Sequence, residues 1–170
     1  SVHTEYLEEE KPQDVTVSLF ADADWANDPS TRRSTTGYVV MLAGAAVSWK
    51  SKLQQTVALS TSETEYMSAC AAAQEAIFQR QLLEDLGFPQ HEATVIYEDN
   101  TGAIALSENP VSHARSKHID IKYHFVRDRV AKGEIKLEKV ASEDQLADLF
   151  TKPLERVKFE KFREGVMGYK

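Results

Sequence analysis

The sequence predicts an α/β domain with a mixed sheet and helices packed against it. Three observations point there. Three segments of largely apolar residues come first, joined by turn signals in the manner of an antiparallel meander. A long helix without proline follows. Beyond it, apolar strands alternate with helical segments, and strands joined through helices pair in parallel, which leaves the first strand central.

Residues 1–14 (SVHTEYLEEEKPQD) lack periodicity and carry a glutamate run, so they read as a linker, and the domain is expected over 15–170. In VTVSLFAD, Val15, Val17 and Leu19 alternate with Thr16 and Ser18, a strand signal. WANDPSTRRS is a polar loop with an Asp-Pro breaker, and TTGYVVMLAG and AAVSWKSK make the second and third strands around Gly44. From Ser62 to about Leu86 the chain has five alanines and a closing Gly87, with Ser60, Thr61 and Ser62 as candidate caps, which predicts the long helix. ATVIYED is a strand ending in acid, NTGAIALSE a short helix, HIDIKYHFVRDRVAKG a basic helix with a glycine stop, and EIKLEK a strand. Ser142 to Phe150 reads as helical, with Ser142 and Gln145 spaced as a capping box, and LERVKFEKFREGVM as a final amphipathic helix.

The 170 residues are 42% hydrophobic and 28% charged, enough for a core without staples. One cysteine, Cys70, excludes an internal disulfide and fits a buried, inert place among helix alanines. No segment has the apolar length of a membrane span, so the expectation is an intracellular protein without a membrane partner. The net charge of −7 argues at first against a polyanion. Its distribution does not: −11 over residues 1–111, +4 over 112–139, −3 over 140–150 and +3 over 151–170. Acid early and base late is what a metal-dependent enzyme on a polyanion needs; a solvated basic face on an ordinary acidic protein fits the charge as well.

Four acids stand where elements begin or end: Asp22, Glu65, Asp99 and Asp148. Strand ends in a sheet with parallel crossovers open on one edge, and carboxylates meeting there call for a cation. Asp22 competes with Asp24, which shares its face. Glu65 competes with Glu63, but Glu65 falls in line with Ala69, Ala72, Ala76 and Leu83, while Glu63 aligns with Gln74, Gln81 and Asp85. A carboxylate on the sheet-facing side needs a reason. Asp99 suits an N-cap equally well, and Asp148 a solvent face. Trp49 on its strand has two readings, a place under a sugar on the sheet edge or a place in the core, and the core is the commoner one for a strand tryptophan.

The pieces LFADADWANDPSTRRSTTGYVV, VSWKSKLQQTVALSTSETEYMSA, VIYEDNTGAIAL, RSKHIDIKYHFVRDRV and EDQLADLFTKPL resemble, in this order, the ribonuclease H domain ending the Pol polyprotein of copia-type LTR retrotransposons. The resemblance runs from about residue 15 to about residue 165. It implies a ribonuclease H-like fold, a five-stranded mixed sheet in the order 3-2-1-4-5 flanked by helices. It further implies a nuclease that cuts the RNA strand of RNA–DNA hybrids with two Mg²⁺ or Mn²⁺ ions held by Asp22, Glu65, Asp99 and Asp148. It thereby chooses Asp22 over Asp24. A catalytically weak hybrid-binding or structural domain, in a reverse transcriptase or a domesticated element, is the alternative.

The family's loop histidine, thought to help product leave, is missing from KVASEDQLAD. His118 and His124 lie earlier, and whether either replaces it is open. Candidates for hybrid contacts are Ser60, Thr61 and Ser62 at a helix start, Asn100 and Thr101 beside Asp99, the cations Arg32, Arg33, Lys50 and Lys52, and the basic strip Arg115, Lys117, Lys122, Arg127 and Arg129. The implied partners are the hybrid and the reverse transcriptase domain of the same polyprotein. The isolated domain is expected to be monomeric, and the setting a cytoplasmic virus-like particle or the nucleus.

Overall fold

The computed structural model describes residues 15–55, 57–109 and 117–168. The expected linker over 1–14, Arg115, and the side chains of Lys117 and His118 lie outside the described residues. The elements are β1 (Val17–Asp24), β2 (Thr35–Leu42), β3 (Ala45–Leu53), α1 (Thr61–Asp85), β4 (Thr94–Glu98), α2 (Thr101–Glu108), α3 (Lys117–Ala131), β5 (Ile135–Lys139) and α4 (Arg156–Met167). Between β5 and α4 lie two 3₁₀ turns, Ser142–Asp144 and Leu146–Phe150.

The sheet runs β3-β2-β1-β4-β5, with β1 antiparallel to β2, β2 to β3, and the β1–β4 and β4–β5 pairs parallel. This is the predicted mixed sheet with β1 at its centre. The β2–β3 hairpin turns through Ala43 and Gly44, both at positive φ (50° and 84°), as the twist-matched two-residue turn requires. Gly44 takes that conformation freely.

One face of the sheet carries α1. Ala69, Ala72, Ala73 and Ala76 share a core with Leu19, Ala21, Val40 and Ile96, and Cys70 is buried among them. These small residues let α1 lie close, with Ser68 Oγ donating to the carbonyls of both Asp22 (2.6 Å) and Gly37 (3.0 Å). No helix among the described residues is long and apolar enough to cross a membrane.

The other face receives the second 3₁₀ turn. Gly37, opposite Asp22 in the register, makes room for it: a Cβ there would stand 2.5 Å from Thr151 Cγ2 and 3.0 Å from Phe150 Cβ. The predicted helix over 142–150 is broken at Gln145, which is extended (φ −76°, ψ 92°). Its capping box does not form either. Gln145 is fully buried, and its Nε2 donates to the Ala21 carbonyl at 2.8 Å and reaches the Tyr97 carbonyl at 3.5 Å. The β1–β4 register ends at Phe20↔Tyr97, so this amide serves carbonyls where the parallel pair parts. Trp49 also departs from expectation. It is 62% exposed, because β3 is the edge strand and its register partner Val39 takes the buried place.

Gly37→Ala should therefore push the second 3₁₀ turn off the sheet and cost about 1–3 kcal/mol of stability, as overpacking of a close contact does. Urea unfolding followed by circular dichroism checks this, and an unchanged midpoint would mean that Phe150 and Thr151 do not seat against β2.

Candidate metal centre

Three carboxylates meet at the end of the sheet where β1 and β4 separate. Asp22, Glu65 and Asp99 each offer an oxygen within 4.8 Å of the other two. Asp22 stands on the central strand and is buried. Glu65 lies on the sheet-facing side of α1, about one turn before Ser68, so the bonds from Ser68 to Asp22 and Gly37 set its height over β1. Asp99 directly follows β4. Asn100 is the N-cap of α2, accepting from the Ala103 amide at 3.0 Å, which leaves the Asp99 carboxylate to the site. Ser142 Oγ donates to Asp99 Oδ2 at 2.8 Å, and the Lys139 ammonium donates to its carbonyl.

The rival acids stand outside the triad. Glu63 Oε2 accepts from the Leu59 amide at 2.7 Å, and Ser60 Oγ from the Glu63 amide at 3.2 Å, so Glu63 belongs to the start of α1. Asp24 lies two residues further along β1, opposite Thr35.

Asp148 is buried but stands outside the triad. Its Oδ1 lies 3.0 Å from Lys152 Nζ and its Oδ2 2.6 Å from Lys158 Nζ. Lys152 Nζ is also 3.3 Å from Asp22 Oδ2, an oxygen that accepts from the Thr151 hydroxyl as well. An ammonium thus joins Asp148 to Asp22.

Sequence reasoning missed Glu98, Lys152, Lys158 and Thr151. Glu98 is fully buried; its Oε1 accepts from the Asn100 amide at 3.0 Å and its Oε2 has no hydrogen-bond partner. Alternation along β4 puts it in phase with buried Thr94 and Ile96, which is the signal that finds it. The lysines carry no such signal, since single cations near a proline read as surface.

Burial governs the protonation of the site. It pushes Glu65 up to about 10, with the charges of Glu98, Asp22 and Asp99 adding to it. It lifts Glu98 well above the usual carboxylate range, against the Asn100 amide. Asp22 rises to about 6, again through burial, held back by Lys152 and the Thr151 hydroxyl. For Lys152 burial works against the ammonium, but Asp22 and Asp148 outweigh it and keep the proton on. Hard oxygen donors, mutual repulsion, and a buried Glu65 Oε2 without a hydrogen-bond partner fit Mg²⁺ or Mn²⁺.

Around the triad, the starts of α1 and α2 meet. Ser62 Oγ is 3.4 Å from Asn100 Oδ1, Gly102 backs onto the Ser62 hydroxyl, and Ser60, Thr61 and Thr101 are exposed. Lys50 and Lys52 of β3 and, distant in sequence, Lys122 of α3 line one cavity of about 510 Å³ with Thr36, Gln54 and Met67. Arg32 is exposed in the β1–β2 loop, where Arg33 Nε donates to Thr31 Oγ1 at 3.1 Å. Of the described side chains of the basic strip, Arg129 pairs with Glu134 at 2.9 Å, Arg127 lies on Tyr123, and Lys122 opens on the cavity. His124 is exposed on α3.

No protein-family model matches the chain. It is 44% identical over 153 residues to the retrovirus-related Pol polyprotein from transposon TNT 1-94 of Nicotiana tabacum, covering 90% of this chain and 11% of that protein. It is 42% identical over 156 residues to the Pol polyproteins from transposons RE2 and RE1 of Arabidopsis thaliana, covering 92% of this chain and 11% of each. The chain thus spans about a ninth of the length of these relatives. Among solved structures, an N-terminal RNase H domain from Mycobacterium tuberculosis matches with a TM-score of 0.57 at 14% identity, over 88% of this chain and 97% of that one. LC11-RNase H1, solved in complex with an RNA/DNA hybrid, matches with a TM-score of 0.56 at 10% identity, over 80% and 94%. At these identities the structures speak for the fold alone.

Without divalent ions, stability should fall as pH rises from about 4.5 to about 10. Glu65 titrates near 4.5 when unfolded and near 10 when folded, so over that window the native state holds the extra proton and alkali removes its advantage. Asp22 acts with the same sign between 3.8 and about 6. Urea midpoints in chelator at acid, neutral and alkaline pH test this. Excess Mn²⁺ should flatten the profile, as should Glu65→Gln, and an equal slope in that variant would remove Glu65 as its source.

Proposed function

The chain is a homologue of one segment of copia-type transposon Pol polyproteins and has a ribonuclease H-like fold, and on that premise we propose that it is a metal-dependent endonuclease acting during reverse transcription. Its substrate is the RNA strand of RNA–DNA hybrids, and its products carry 5′-phosphate and 3′-hydroxyl ends. The observation that carries this reading is the convergence of Asp22, Glu65 and Asp99, from three separate elements, within 4.8 Å at the open end of the sheet.

Asp22, Glu65, Asp99 and Asp148 would hold the two ions. Bound there, Mg²⁺ or Mn²⁺ supplies an activated water for in-line attack and stabilises the 3′ oxygen that leaves. Thr151 and Lys152 fix one Asp22 oxygen and so orient the other. Ser142 does the same for Asp99. Glu65 would have to release its proton to solvent for a cation to be held there, which would couple loading to pH.

The free amides at the start of α1 suit a phosphate, and Ser60, Thr61, Ser62, Asn100 and Thr101 suit the 2′-hydroxyls that distinguish RNA. Lys50, Lys52 and Lys122 line a cavity fit for the backbone of a strand, with Arg32 and Arg33 as further cations. The reverse transcriptase segment of the same polyprotein is the protein partner, and the product acts in a virus-like particle or the nucleus. Metal-dependent cleavage of a labelled hybrid, with duplex DNA and duplex RNA as controls, tests the whole. Hybrid binding without cleavage would assign the structural role instead.

Asp22→Asn and Asp99→Asn should abolish Mg²⁺-dependent cleavage while the fold is kept, and activity within about tenfold of the parent would remove that residue from the site. Asp24→Asn and Glu63→Gln should be nearly silent. Replacing Lys50, Lys52 and Lys122 by alanine should weaken hybrid binding and lower its salt dependence by about one unit of slope per lost phosphate contact. Titration of a non-cleaved hybrid with KCl measures this, and an unchanged slope would assign that cavity to a protein surface.

A further inference from the structure

The four carboxylates that the proposed function assigns to metal fall into two unlike halves. In the first, Asp22, Glu65 and Asp99 face one another, and Glu65 Oε2 is buried without a hydrogen-bond partner. In the second, between Asp22 and Asp148, a cation is already present. Lys152 Nζ stands 3.3 Å from Asp22 Oδ2 and 3.0 Å from Asp148 Oδ1, and Lys158 takes the remaining Asp148 oxygen at 2.6 Å. Lys152 approaches from the turn after the second 3₁₀ segment, and its side chain is 34% exposed, so it has a path outward.

We propose that Lys152 is the resting counter-ion of the second metal position, so that the free protein binds one divalent ion and the second enters only when a substrate phosphate draws the ammonium away. The inference rests on the reading of these carboxylates as the metal site. A monovalent ammonium between two buried carboxylates offsets their repulsion and competes directly with a divalent ion for the same oxygens. A nucleic-acid phosphate beside it offers the ammonium an alternative anion. Release of Lys152 then frees Asp148 Oδ1, and on Asp22 Oδ2 the lone pair that the Thr151 hydroxyl does not occupy, at the moment the reacting group arrives.

Equilibrium dialysis against Mn²⁺, without nucleic acid, tests the proposal. The wild type, Lys152→Arg and Lys158→Met should bind one ion per chain, and Lys152→Met should bind two, its second at least about tenfold tighter than in the wild type. Circular dichroism and a cooperative melt establish that each variant is folded. One arm needs no variant: a non-cleavable hybrid with 2′-O-methyl RNA should raise the wild type from one bound ion to two. Two ions on the free wild type, one on folded Lys152→Met, or one on the hybrid-bound wild type would each overturn the proposal. Those results leave the underlying reading intact, because the wild type still binds Mn²⁺. No Mn²⁺ on any variant, with no metal-dependent cleavage, would overturn both.

Discussion

The structure turns on where the parallel pairing of β1 and β4 stops. The ladder reaches Phe20↔Tyr97, and there the strands part. Carbonyls beyond that point lose their strand partners, and buried carbonyls must find others. Gln145 supplies its amide to Ala21 and reaches Tyr97, which draws the segment before α4 onto the sheet. Because that segment is held there, Thr151 and Lys152 reach Asp22, and Asp148 comes down beside it. Asp22 sits on one of the two strands that diverge and Asp99 directly after the other, so the gap that frees their side chains also brings in the groups that orient them.

Concentrating acid at such a gap opposes folding. Asp22, Glu65, Glu98 and Asp148 are all buried, and each charge taken from water costs free energy unless it is paired or neutralised. The molecule meets this differently at each group: two lysines on Asp148, a lysine and a hydroxyl on Asp22, and bound protons on Glu65 and Glu98. Compensation comes from the neutral packing around them, where Ser68 binds α1 to two strands and the α1 alanines lie close against the sheet. A site kept under electrostatic tension is ready for a cation in a way that a relaxed one is not.

What the sequence disclosed follows from periodicity. The meander, the α1 face that separates Glu65 from Glu63, and the order of elements are local or regularly repeating, and all but the helix expected over 142–150 are present in the structure. The RNase H-like topology came from resemblance to a family and matches the observed strand order. What stayed hidden depends on distant partners. Gln145 looked like half of a capping box because nothing near it in sequence shows the unpaired carbonyls it serves. Lys152 and Lys158 are ordinary surface cations until the chain folds back over Asp148. Trp49 was misplaced for a similar reason: strand pattern does not tell which strand lies at the edge, and β3 does. Glu98 was legible from alternation but was masked by Asp99 next to it.

The bonds that close the site span nearly the whole domain. Gln145 meets Ala21 across 124 residues, and Thr151 meets Asp22 across 129. A ribosome releases the chain from its N-terminus, so the meander and α1 emerge long before the segment that orients Asp22. Contacts of such sequence separation also form slowly once available, since loop closure must precede them. A nascent chain paused after β5 therefore holds all the residues of the carboxylate triad and none of the grip on Asp22 that comes from Thr151 and Lys152. The grip on Asp22 is thus a late event in the biogenesis of the domain, timed by translation itself.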